Sequence, residues 1–137
     1  MRTRRGASAV EFGLALPVLI YLALASVEYG WFLFVRTQAA HAAREGCRLG
    51  ATAQMSAVPS PATLASTRTL AVLDEYGFTL GDLTVTTAYS DLTGDAAGTS
   101  DTLTVRVDVQ YQPIAAGFVP TPAGMTVSMA MMVQGAT

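Results

Sequence analysis
Three patterns of apolar and polar positions succeed one another along the chain. The first is an unbroken apolar run from Phe12 to Val35, in which Glu28 carries the one formal charge. At ~1.5 Å per residue such a helix crosses a hydrocarbon core of ~30 Å. The second pattern is helical but mixed. Arg36 to Gly50 contains no proline and supplies Ala39, Ala40, Ala42 and Ala43, so the helix is expected to leave the apolar run and pack an Ala-rich face on the head. Gly46 and Gly50 weaken that end, and Gly50 is a stop signal. After a small-residue connection, Ser60-Pro61 reads as a helix start, with a hydroxyl to cap and a proline where its missing N–H is harmless. A second helix is expected over Thr63–Tyr76, with Leu64, Leu70, Ala71, Val72 and Leu73 as its apolar face and Gly77 as its end.

The third pattern has period two. Leu83, Val85, Thr87 and Tyr89 share one face. Leu103, Val105, Val107, Val109 and Tyr111 do the same, opposite Thr104, Arg106, Asp108 and Gln110, and Met125, Val127, Met129, Met131 and Val133 form a third run. Three strands that are apolar on one face need a helical cover. The expected fold is α+β: a long N-terminal membrane-crossing helix, then a small head with a second helix and a three-stranded antiparallel sheet. The implied division is a leader over 1–6, a transmembrane helix over 7–35 and a head over 36–137 that should fold without the membrane segment.

Composition narrows the function. Of the 137 residues, 51% are hydrophobic and 13% charged, as a membrane-attached chain requires. The eight basic residues are all arginine, and Arg2, Arg4 and Arg5 precede Gly6, which leaves the rest acidic. An acidic head lacks the basic patches that neutralise phosphates, so nucleic acid is not an expected partner. No cofactor or metal site and no enzyme constellation can be read: one histidine, one cysteine, no Gly-rich phosphate loop. His41 and Cys47 would lie about 120° apart around a helix and form no nucleophilic pair. Cys47 reads either as a small packed residue or as a thiol for an intermolecular disulfide in an oxidising compartment. The carboxylates of Asp91–Asp101 do not match an EF-hand and read as a solvated hairpin loop. Residues 113–122, PIAAGFVPTP, form a second loop with Phe118 and Val119 at its tip.

The N-terminal arginines put the start of the chain in the cytoplasm and the head outside. A cleaved signal peptide would use Ala23-Leu24-Ala25, yet strong hydrophobicity continues beyond it through Trp31, Phe32, Leu33 and Phe34. A plain anchor leaves Glu11 unexplained, because a carboxylate entering hydrocarbon costs about 2.5–3.5 kcal/mol even on translocon scales. Cleavage between Gly6 and Ala7 would explain it. The new α-amino group would be available to the Glu11 carboxylate of a neighbouring, axially shifted copy. Pro17 lacks an N–H and crowds the carbonyl of Gly13, so a kink is expected there. Glu28 lies roughly 24 Å beyond Phe12 along a straight helix, near the outer interface. Its carboxylate should reach headgroups or water there, with Tyr29 and Trp31 as aromatic anchors, or meet a partner subunit.

Arg5-Gly6-Ala7-Ser8-Ala9-Val10-Glu11-Phe12 resembles the cleavage region of prepilins of tight-adherence (Tad, Flp-type) pili. The opening RRGASAVEFGLALP, followed by VEYGWFLFVRTQAAHAAREGCRLGA, is similar to the TadE-like minor pseudopilins. The resemblance covers roughly the first 51 residues. It implies cleavage after Gly6 by a prepilin peptidase. The implied partners are the major Flp-type pilin, a second minor pseudopilin, the Tad inner-membrane platform proteins and membrane lipid. It further implies residence in a bacterial inner membrane with the head in the periplasm, and a role in pilus initiation, capping or assembly. The competing reading from the residues is a permanently anchored binding or adhesion module acting through the Phe118 loop.

Overall fold
The structure is a computed structural model that describes residues 3–53, 59–77, 83–90, 102–114 and 118–133. Helix α1 runs from Thr3 to Thr52 and continues through Pro17. At ~1.5 Å per residue its length is about 75 Å. Helix α2 spans Pro61–Glu75. The strands are β1 (Leu83–Ser90), β2 (Thr102–Gln110) and β3 (Gly124–Met132). They form an antiparallel sheet in the order β1-β2-β3. In its register Val85 faces Val107, and Val107 faces Val127. The α+β architecture thus agrees with the three patterns of the sequence.

The two halves of α1 differ in their surroundings. Side chains described between Gly6 and Val27 are exposed on every side of the helix, apart from half-buried Ala25. From Glu28 on, a seam faces the head at helical spacing: Glu28, Val35, Ala39, Ala42, Ala43, Cys47 and Ala51 are all buried. The head therefore begins to cover the helix at Glu28, about two turns before the Val35/Arg36 boundary expected from hydropathy. The apolar run looks uniform in sequence because lipid and a protein core both accept apolar residues.

Small residues set the distance between α1 and its cover. A Cβ on Gly46 would lie 2.6 Å from the Ala65 carbonyl oxygen and against the Thr69 side chain; on Gly50 it would lie 2.8 Å from the Pro61 carbonyl oxygen. These glycines are therefore not helix-weakening positions but the points where α2 crosses α1, and α1 continues past Gly50 to Thr52.

Helix α2 starts as expected: Ser60 Oγ accepts from the Thr63 N–H at 3.4 Å, and Pro61 occupies the first turn. It ends at Gly77, whose φ of 79° suits a residue without Cβ, and whose N–H donates to the Asp74 carbonyl at 2.9 Å. Its inward face keeps the expected Val72 and Leu73, with Leu64 and Leu70 half-buried, but is shifted towards small residues. Pro61, Ala65, Thr69, Val72 and Leu73 are buried and Ala71 is exposed, because the stripe follows the small residues opposite Gly46 and Gly50. The buried Thr69 hydroxyl is satisfied by the Ala65 carbonyl at 2.8 Å.

The inner sheet face is Leu103, Val105, Val107 and Val109 of β2 with partly covered Val85, Tyr89, Met125 and Met129 beside them. Met131 departs from the expected stripe: it is exposed near the free end of β3. On the outer face Arg106 pairs with Asp108 at 2.9 Å, and Asp108 also accepts from Thr126. Those two donors hold the Asp108 carboxyl below its usual range.

Candidate functional site
The N-terminal features expected to matter lie on the bare half of α1. Gly6 and Glu11 are exposed, and a Cβ on Gly6 or Gly13 would meet nothing within 4 Å. Exposed apolar side chains continue around this segment, among them Phe12, Leu14, Val18, Leu22 and Val27. The helix is long and apolar enough to cross a membrane. A surface of this kind suits lipid or the apolar faces of other helices. Ala7 lies in the same helix, next to Gly6.

Glu28 is where the structure corrects the sequence. Its side chain is 1% exposed and does not reach solvent. The Tyr111 hydroxyl donates to Glu28 Oε1 at 2.5 Å and lies 3.2 Å from the Glu28 carbonyl, while the Ile114 N–H donates to the same Oε1 at 3.3 Å. Burial, with the adjacent carboxylate, pushes the Tyr111 hydroxyl above its ordinary titration range, so it remains a donor. Phe32 packs edge-on against the Tyr111 ring, with centroids 5.2 Å apart. A carboxylate amid apolar helix residues is retained because the end of β2 brings it these donors.

Its neighbours take different positions. The Tyr29 hydroxyl donates to the Pro120 carbonyl at 3.1 Å. Trp31 stacks on Phe34 at 5.4 Å, and both rings are substantially exposed. The two flanks of the β2–β3 connection are thus tied to the same turn of α1. That places Phe118 at the end of the head where the bare helix leaves it. The far end, where Leu103 approaches Gly50, is elsewhere. The residues that sequence reasoning passed over here are Tyr111, Ile114 and Pro120. The one signal for Tyr111 was that it continues the inward phase of β2.

Cys47 is 1% exposed, and its Sγ lies 3.2 Å from the Met129 carbonyl oxygen. Burial raises its thiol above the ordinary value. The intermolecular-disulfide reading is corrected accordingly: the sulfur is sealed between α1 and the sheet, and a second chain cannot reach it without the seam opening. The acidic loop over 91–101 lies outside the described residues. Among the described residues no cluster of His, Cys, Asp and Glu has the geometry to hold a metal ion.

A helix bare over one half and forming the spine of a small α+β head over the other defines a pilin-like architecture. The family model described as TadE-like protein matches residues 6–48, which cover the bare segment and most of the seam. The match covers less than half of the chain and lies wholly within α1. No curated protein and no solved structure matches the chain.

Proposed function
We propose that the chain is a minor pilin, or pseudopilin, of a Tad-type pilus. In this reading a prepilin peptidase cuts after Gly6, the bare helix resides in the inner membrane with the head in the periplasm, and the protein acts in initiating, capping or assembling the fibre. The observation that carries it is the bare apolar half of α1 inside a TadE-like match, with Glu11 near its start. Once Arg2, Arg4 and Arg5 are removed, Glu11 becomes the fifth residue, within reach of the Ala7 ammonium of an axially shifted helix. The partners in this reading are the major Flp-type pilin, a second pseudopilin and the platform proteins.

The pair supplies a reason to leave the bilayer. A carboxylate in hydrocarbon is costly, and an ammonium from a neighbour compensates it. Glu11→Gln should therefore permit cleavage, since the side chain lies beyond the scissile bond, while recruitment falls. Removing one partner of a buried pair costs about 3–5 kcal/mol. The experiment is mass spectrometry of the mature N-terminus together with cross-linking to pilin partners in membranes. Cleavage after Gly6 with lost cross-links is the expected result. An uncut N-terminus in the wild-type membrane protein, or undiminished cross-links with Glu11→Gln, would refute the corresponding step.

A further inference from the structure
We propose that Ile114 and Phe118 form a second membrane contact, inserted in the outer bilayer interface beside the point where α1 emerges. The proposal rests on the membrane residence argued above and adds a lipid-binding surface on the head itself. Phe118 is 71% exposed and Ile114 63%, while Val119, next in sequence to Phe118, is 4% exposed. One flank is therefore anchored, while Ile114 and Phe118 project outward. The anchors fix its height. The Ile114 N–H reaches Glu28 Oε1 at 3.3 Å, and the Tyr29 hydroxyl reaches the Pro120 carbonyl at 3.1 Å.

Among the described side chains of α1, Glu28 is the first that is buried. Below it the bare helix from Gly6 to Val27 spans roughly 33 Å at ~1.5 Å per residue, about the thickness of a hydrocarbon core. A loop tied to Glu28 and Tyr29 consequently lies in the interfacial layer. Tyr111 to Ala123 contains no charged residue, so immersion removes no ion from water. The exposed Trp31–Phe34 pair adds aromatic surface within two turns of the same level, as interfacial belts do. Occupancy by lipid is a consequence of position: an exposed Phe and Ile at that depth partition into the acyl boundary. Two attachments, helix and loop, would fix the tilt of the head, which one helix alone leaves free to rotate.

The test uses the full chain in phosphatidylethanolamine/phosphatidylglycerol vesicles, with an environment-sensitive fluorophore on Ile114→Cys in a Cys47→Ala background. Leu22→Cys serves as the reference within the bare helix, and Thr86→Cys as the reference on the outer sheet face. Lipids spin-labelled at shallow or deep positions, and aqueous iodide, are the quenchers. The label at 114 should be quenched by shallow spin-labelled lipid and shielded from iodide, and adding Phe118→Asp should reverse both. Iodide quenching at 114 with lipid quenching at 22 would overturn the loop proposal and leave the membrane reading standing. Iodide quenching at 22 would remove the membrane reading, and this proposal with it. A label at 114 reached by neither quencher, whatever the lipid-to-protein ratio, would mean that protein covers the loop, and would also overturn the proposal.

Discussion

Gly46→Ala tests the crossing of α1 and α2 most sharply. The added Cβ would stand 2.6 Å from the Ala65 carbonyl oxygen and against the Thr69 side chain. An ordinary carbon–oxygen approach is about 3.3–3.6 Å, so α2 must retreat by roughly 0.7–1 Å. The obstacle is backbone and cannot rotate away. Retreat loosens Ala65, Thr69 and Leu73, all buried against the seam. Overpacking of this kind costs about 1–3 kcal/mol, and a mid-helix Gly→Ala change returns up to ~1 kcal/mol of helix propensity. A net loss of about 1–2 kcal/mol is expected. Cys47 is a built-in reporter, because its 1% exposure means that alkylation requires the seam to open. Since ~1.4 kcal/mol is a factor of ten, the native-state alkylation rate should rise by roughly 5–30-fold in detergent-solubilised full chain. Gly13→Ala, where a Cβ meets nothing within 4 Å, should leave the rate unchanged. Adding Thr69→Ala to Gly46→Ala should rescue only part of the loss, since the carbonyl remains. An alkylation rate equal to or below wild type in Gly46→Ala would refute the close crossing.

Four other outcomes are expected. Tyr111→Phe removes a donor to a buried carboxylate and should destabilise the head by about 1.5–3 kcal/mol, read as a shift of the denaturant midpoint. Because Tyr111 titrates higher when folded, the unfolded chain releases this proton first; stability is intact below pH ~10 and falls as pH rises beyond it, a fall that Tyr111→Phe should reduce. A soluble chain beginning at Val27 should unfold cooperatively, whereas one beginning at Arg36 lacks Glu28, Phe32 and Val35 and should be about 3 kcal/mol or more less stable by chemical denaturation. Oxidation of the folded protein in membranes should yield no Cys47-linked dimer on non-reducing gels; a dimer there would contradict the sealed seam.

The strands were legible because period two is a one-sided signal: each inward position of β2 from Leu103 to Val109 is buried, as its alternation requires. The second helix was legible from its punctuation, Ser60-Pro61 and Gly77, and Val72 and Leu73 of its buried face were read, but Ala65 and Thr69 were not. Hydropathy ranks Ala71 with Leu70, whereas the contact is chosen by fit against glycines that lie earlier in the chain, on α1. Glu28 escaped sequence reasoning for a related reason. Counting along a helix gives its height, but not whether a distant strand end arrives there, and Tyr111 lies 83 residues away. The boundary of the bare segment was blurred because composition cannot separate the apolar surface that meets lipid from the apolar surface that meets a sheet.

The buried Glu28 makes that boundary mechanical. The head grips α1 through a buried carboxyl group held by Tyr111 and Ile114, so sliding the helix by one turn would strand that polar group among apolar side chains. The exposed length below it is consequently constant, and so is the amount of apolar helix any assembly has to cover. Within that length the side chains around Glu11 are apolar or small, apart from the hydroxyl of Ser8. A helix removed from the membrane must therefore be sheathed by other helices along its whole bare length. If the chain is cut after Gly6 as proposed, the charged end would decide the stagger, since only one axial offset would bring a neighbour's new N-terminus level with Glu11. Two carboxylates on one helix thus divide the work. Glu28 fixes the helix to its own head, and in the proposed pilin reading Glu11 would fix it to the next subunit.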